Sequence, residues 1–336
     1  MEFDAYSLTF PRAYVIPSTV ARNPLVIFAI CERTMPDSFI VHVPATTANL
    51  GAGFDCLGLA LDLRNSIAVE VGGAGLQIEI EGEGADSLPR DASNRVVVAM
   101  ERVFALTQRA RPPLRLRMTN RIPLARGLGS SAAAAVGGLL AANALCGGAL
   151  SQETLLQLAT ELEGHPDNVA PALMGGLCVV AMDDGKPIAI RFDTPPTLRC
   201  VLFVPDEPLP TAQARAVLPA SVPHKDAAFN ASRAALWIAA ITQQRLNLLR
   251  LATQDRLHQP YRAPLVRGFE AIVAAANEAG ALGAFLSGAG SSIAALCEDG
   301  AERIAEAMGA AAQQAGSAGR MMVVGVSARG ASVQGG

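Results

Sequence analysis

The sequence predicts an α+β fold of two domains, and three observations carry that reading. Strand-like and helix-like segments intermix without the regular βαβα alternation of a doubly wound sheet. A glycine-rich turn, PLARGLGSSAAAA at Pro123–Ala135, leads out of a strand-like segment into an alanine-rich helix. The 336 residues, 51% of them hydrophobic, suffice for two cores or one large one.

Residues 1–34 contain the apolar run PLVIFAIC, Pro24–Cys31, too short to span a bilayer. With Glu2 and Asp4, no lysine and no small-residue cleavage site, this segment does not read as a signal peptide. Met35 opens MPDSFIVHVPATTANLG as a natural start would. Residues 1–34 are therefore expected to be a disordered or misassigned extension, with the domains at 35–195 and 196–336.

Phe39–Val43 is an apolar run suited to a buried strand. Ser66–Val71 and Leu76–Glu81 alternate apolar and polar residues, and the GGAG between them predicts a hairpin. Asn94–Ala110 reads as a helix. Leu114–Thr119 sets Leu114, Leu116 and Met118 against Arg115 and Arg117, then delivers the chain to the glycine-rich turn. The helix after the turn ends near Gly147–Gly148. Ser151 caps the next, whose apolar positions are Leu155, Leu158, Ala159 and Leu162, and Gly164 closes it. Strand-like pieces follow at Leu177–Met182, Ile188–Phe192 and Leu198–Val204, then a mostly helical stretch over Thr211–Gly280. The chain closes as strand, strand, helix, strand, with Gly283–Leu286, Ile293–Cys297 and Met321–Val326 as the strands.

A net charge of −3 argues against a nucleic-acid partner held by bulk charge. Six cysteines without a CxxC pair read as buried thiols in a reducing, cytoplasmic compartment, with no disulfide framework. The four histidines have no zinc-ligand spacing. No membrane partner is expected.

The local chemistry of PLARGLGSSAAAA is that of a phosphate cradle. Gly127 and Gly129 permit a left-handed backbone on which N–H groups converge. Ser130 and Ser131 are good N-cap residues, and the helix points its positive end at the loop. A GxxxxGK[ST] loop needs a lysine, yet none precedes Lys186, which excludes a conventional P-loop and a protein-kinase-type site from the N-terminal half.

Three other segments could do chemistry. In PATTANLGAGFDCLGLAL, Thr46, Thr47 and Asn49 lead into a flexible turn that ends at Asp55, which either faces a cleft or caps the turn. In ELEGHPDNVAP, Glu163 meets the negative end of its helix, which costs about 0.3–1 kcal/mol unless a cation such as Mg²⁺ compensates. His165, Asp167 and Asn168 share the following turn. SGAGSS, Ser287–Ser292, is a small-residue turn that either admits a ligand or makes a plain hairpin. Thr211 and Arg215 would share a helix face, and Arg262 lies in the proline-bounded QPYRAPL; such arginines can clamp a carboxylate.

Together these motifs resemble the GHMP kinase superfamily. IPLARGLGSSAA fits its glycine-rich ATP motif, PATTANLGAGFD its first motif and SGAGSS its third, where a proline more usually replaces the first serine of the pair. The resemblance runs from about Met35 to the C-terminus. It implies a ribosomal-protein-S5-domain-2-like N-terminal domain and a ferredoxin-like C-terminal domain with the active site between them. It also implies phosphoryl transfer from ATP with Mg²⁺. EGHPDNVAP, TAQAR and PYR resemble the branch whose acceptor is the hydroxyl of L-homoserine, a step of threonine biosynthesis; mevalonate, shikimate or a sugar, or a non-catalytic nucleotide-binding module, are the alternatives.

By position, the resemblance puts the nucleotide on Pro123, Leu124, Ala125, Arg126, Gly127, Leu128, Gly129, Ser130, Ser131, Ala132 and Ala133. Mg²⁺ falls to Glu163 and Ser131. Asn49, Asp55, His165, Asn168, Thr211, Arg215 and Arg262 would hold the substrate, with the arginines on its α-carboxylate. Asp55 and Asn168 would be the catalytic residues, Asp55 meeting the reacting hydroxyl as base or as orienting group. A homodimer is the common habit of the superfamily.

Overall fold

The computed structural model describes residues 37–335, so the expected extension at 1–34 lies outside the described residues. The first part of the chain forms β1 (Ser38–Ala48), β2 (Leu57–Val71), β3 (Leu76–Gly82), α1 (Arg95–Leu106) and β4 (Leu114–Asn120). It continues as α2 (Ser130–Leu145), α3 (Gln152–Glu163), α4 (Val169–Met174), β5 (Leu177–Asp183) and β6 (Lys186–Phe192). The rest comprises β7 (Arg199–Pro205), α5 (Thr211–Ala216), α6 (His224–Thr242), α7 (Leu249–Ala252), α8 (Gln259–Arg262) and α9 (Phe269–Glu278). It ends with β8 (Gly283–Leu286), β9 (Ile293–Cys297), α10 (Ala301–Gln314), β10 (Gly319–Gly325) and β11 (Ser332–Gly335).

Two sheets organise these elements. The first runs β11-β1-β2-β4-β3, with β5 on the start of β2 and β6 beside β5; the second runs β10-β7-β9-β8. β7 reads as an unbroken apolar run because both its faces are covered. Cys200, Leu202 and Val204 join the core shared with the first sheet, while Val201 and Phe203 pack with Ile272, Ile304 and Met308 of α9 and α10.

The expected hairpin between β2 and β3 does not form. β4 lies between them, antiparallel to β2 and parallel to β3, and the parallel pair is joined through α1. Both faces of β4 suit the central place, one burying Leu114, Leu116 and Met118 and the other setting arginines beside acidic neighbours. Glu70 and Glu79 would sit on adjoining strands, and β4 interposes Arg115, 3.8 Å from Glu70, and Arg117, 3.2 Å from Glu79. The alternation of β4 is as expected, with Leu114, Leu116 and Met118 buried.

Helix ends follow local chemistry. Asn94 Oδ1 accepts from the Val96 N–H at 3.0 Å and starts α1, which stops at Leu106, short of the expected Ala110, because Gln108 turns left-handed at φ +55°. α3 begins and ends as expected, capped by Ser151 and closed by a left-handed Gly164. The serine caps expected for α2 are not used. Gly129, at φ +70°, takes the N-cap position and offers no side chain, so Ser130 and Ser131 become the first helical residues. β11 went unforeseen: it pairs with β1 through Val41–Val333 and its neighbours, from a four-residue segment with one apolar residue.

The five described cysteines are free, and four are buried. Burial pushes the Cys56 thiol up to about 11 and Cys178 to about 12, which leaves them unreactive.

Candidate active site

An open cleft of about 690 Å³ lies where the β1–β2 turn, the cradle loop, α5 and the SGAGSS turn converge. Asn49, Asp55, His165, Asn168, Thr211, Arg215 and Arg262 all line it, as do Glu163 and the cradle residues Pro123 and Ala125 to Ala132. Leu124 and Ala133 instead line an adjoining chamber of about 960 Å³ with Leu88, Pro89, Val96 and Met118. The two spaces share Ala125, Ser130 and Ser131. Nothing in the sequence pointed to that apolar chamber, because its lining comes from four separate segments.

The cradle is shaped by close approach. Gly127, at φ +74°, leaves no room for a Cβ, which would stand 2.1 Å from Ser287 O, and Ser287 Oγ donates to Gly127 O at 2.7 Å. A Cβ on Gly129 would stand 1.9 Å from Thr46 Oγ1. With no side-chain cap at Gly129, the first N–H groups of α2 are left for an anion. Arg126 turns away from them. Its Nε donates to Pro205 O at 2.6 Å and Nη2 to Asp206 O, which ties the loop to the end of β7.

Across the cleft, the turn after β1 is held by Asn49. Its Oδ1 accepts from the Asp55 N–H at 2.9 Å and its Nδ2 donates to Gly288 O at 2.8 Å. Asp55, left-handed at φ +55°, takes both Nη groups of Arg215 at 2.9 and 3.1 Å. That pairing raises the Arg215 pKa. Arg262 is 1% exposed, and its Nε donates to Ala214 O at 3.0 Å and Nη1 to Gly288 O at 3.3 Å. Burial, then the Arg215 charge, lowers its pKa.

His165 Nδ1 lies 2.8 Å from Asp167 Oδ1, and this bond outweighs burial to raise the His165 pKa. Asn168 accepts from Thr46 Oγ1 at 2.8 Å, so it faces the cradle entrance. Thr46 and Asp167 thus emerge as orienting residues; both lie inside the motifs read from the sequence. Glu163 Oε1 accepts from Ser131 Oγ at 2.8 Å and from Arg95 Nε at 3.1 Å. The charge that relieves Glu163 at its helix end is therefore the Arg95 guanidinium, which no sequence signal announced.

Among known proteins, the models of the GHMP kinases N-terminal and C-terminal domains match residues 94–176 and 237–314. The homoserine kinase of Moorella thermoacetica is 48% identical over 272 residues, which are 81% of this chain and 92% of that protein. The chain belongs to the homoserine kinase family. The homoserine kinase of Caldicellulosiruptor bescii is 50% identical over 78% of this chain and 85% of its own length. Among solved structures, the homoserine kinase of Cytophaga hutchinsonii superposes with a TM-score of 0.82 at 31% identity, covering 90% of this chain and 98% of that one. The Leishmania major mevalonate kinase, at 17% identity and a TM-score of 0.65, shares the fold alone. The GHMP kinase fold implied by the sequence motifs is thus the fold of this homoserine kinase family member, and the chain is a kinase.

Proposed function

We propose that this protein transfers the γ-phosphoryl group of ATP to the hydroxyl of L-homoserine, giving O-phospho-L-homoserine for threonine biosynthesis. The observation that carries the reading is the meeting of two arginines, Arg215 and Arg262, with Asp55 in the cleft that the cradle opens into. An amino acid with a terminal hydroxyl needs cations for its carboxylate, acceptors for its ammonium and a group at the hydroxyl. Phosphoryl transfer asks the protein mainly for positioning and charge neutralisation.

In this reading the phosphates of ATP rest on the N–H groups at Gly129–Ala132, and the nucleoside enters the apolar chamber. Arg215 and Arg262 take the carboxylate, while Asn49, Thr211, His165 and Asn168 surround the rest of the substrate. Asp55 holds the hydroxyl toward the cradle. Ser131 and Glu163 offer two hard oxygen donors 2.8 Å apart, a donor set that fits Mg²⁺. Mg²⁺ would supply neutralisation of phosphate charge that a lysine supplies in other nucleotide loops. By the same reading the protein is a cytoplasmic homodimer whose protomer divides into two domains near residue 195, between β6 and β7.

Coupled ADP release with homoserine, mevalonate and shikimate tests the assignment. Turnover with homoserine alone is expected; none with homoserine defeats it.

A further inference from the structure

Beneath Arg262 lies a histidine to which the proposed substrate contacts give no role. His258 is fully buried and stacks on Phe54, ring centroids 5.2 Å apart. Its Nε2 is 2.7 Å from Gly51 O and its Nδ1 is 3.2 Å from Arg262 Nη1. A carbonyl oxygen only accepts and a guanidinium only donates. One protonation state satisfies both contacts, with the hydrogen on Nε2 and the lone pair on Nδ1.

We propose that His258, as the neutral Nε2–H tautomer, is a positioning residue that ties Arg262 to the turn carrying Asn49 and Asp55. The ring joins Gly51, two residues beyond Asn49, to the guanidinium. Arg262 Nη1 and Asn49 Nδ2 also meet on one carbonyl, that of Gly288. Among the described residues no group accepts from Arg262 Nη2, which leaves that nitrogen for a ligand of the cleft that Arg262 lines.

Burial decides the balance around the ring. Asp255 Oδ2 is 3.5 Å from Nε2, beyond hydrogen-bond range. Its two oxygens already accept from the N–H groups of Leu257, His258 and Gln259 and from Asn230 Nδ2. Burial, the largest influence, and the Arg262 charge oppose the imidazolium, whereas Asp255, the Gly51 carbonyl and, more weakly, Asp55 favour it; the His258 pKa is lowered.

The inference rests on Arg262 binding the substrate carboxylate. Three variants separate positioning from packing. His258→Asn keeps an acceptor near Nδ1 and is expected to hold KM for homoserine within about threefold. His258→Gln, with a donor near Nε2, and His258→Phe, with a ring alone, are expected to raise it about tenfold or more, the size of one charged hydrogen bond. KM for ATP should stay within about twofold. Equal effects in all three variants, or a matching rise for ATP, overturn the proposal.

Should the variants fold poorly, the wild-type protein answers directly. With ¹⁵N-labelled histidine, the His258 ring is expected to stay neutral and Nε2-protonated between about pH 6 and 8. An imidazolium or an Nδ1–H ring overturns the proposal. That signal reads the ring and not the substrate, so it stands apart from failure of the homoserine assignment.

Discussion

Arg215 grips Asp55 end-on, each Nη meeting one carboxylate oxygen at 2.9 and 3.1 Å. The residue proposed to meet the reacting hydroxyl is thus held by a residue proposed to bind the substrate's far end. Both oxygens are engaged, which suits orientation of a hydroxyl better than removal of its proton. Asp55→Asn is therefore expected to lower kcat by less than about 100-fold, below the 10²–10⁴ that a general base contributes. A loss in the thousands would make Asp55 an essential base. Arg215→Lys keeps the charge and loses the planar fork; KM for homoserine is expected to rise about tenfold or more, with KM for ATP unchanged.

Glu163 is contested by a cation already present. Its side chain is 8% exposed and pairs with Arg95, which is 42% exposed. An exposed partner of this kind is worth only about 0.2–1 kcal/mol. Arg95→Ala should free the carboxylate and lower the Mg²⁺ concentration for half-maximal activity about two- to fivefold. Glu163→Gln should raise it tenfold or more, the minimum expected when a ligand itself is lost. A Mg²⁺ titration of ADP release reads both, and an unchanged Mg²⁺ dependence in Glu163→Gln would remove Glu163 from the metal site.

Both pairs show what the sequence could and could not disclose. Local periodicity made β4 legible through Leu114, Leu116 and Met118, and an apolar run marked β7 as a strand. The cradle was legible because a left-handed N-cap and close backbone approach leave glycine as the only fit at Gly127 and Gly129. Pairings across the chain were not. Arg95 and Glu163 are far apart in sequence, and nothing local distinguishes Arg95 from a solvated surface arginine. The GGAG segment carried every sign of a hairpin; the fit of β4 between β2 and β3, apolar face buried and arginines beside Glu70 and Glu79, is visible only once three strands are considered together. The serines after Gly129 looked like caps because cap chemistry is local, yet the space beside Thr46 excludes any side chain at the cap itself.

His165 gives the clearest dependence on pH. Its pKa is raised mainly by the hydrogen bond to Asp167, against burial and the Arg215 charge, with Asp55 adding weakly in the same direction. Asp167 is 2% exposed, so the protonated ring serves a carboxylate with little access to water. A group whose folded pKa lies above its unfolded value stabilises the fold most where it is protonated in both states, below about pH 6.5. That contribution fades as the pH rises through the folded value. His165→Gln keeps hydrogen-bonding capacity and loses the charge. Its Tm is expected to fall furthest below wild type near pH 6 and to approach wild type near pH 9. A gap that widens with pH would mean that the neutral ring is the stabilising form, and Asp167 would then orient His165 by hydrogen bonding alone.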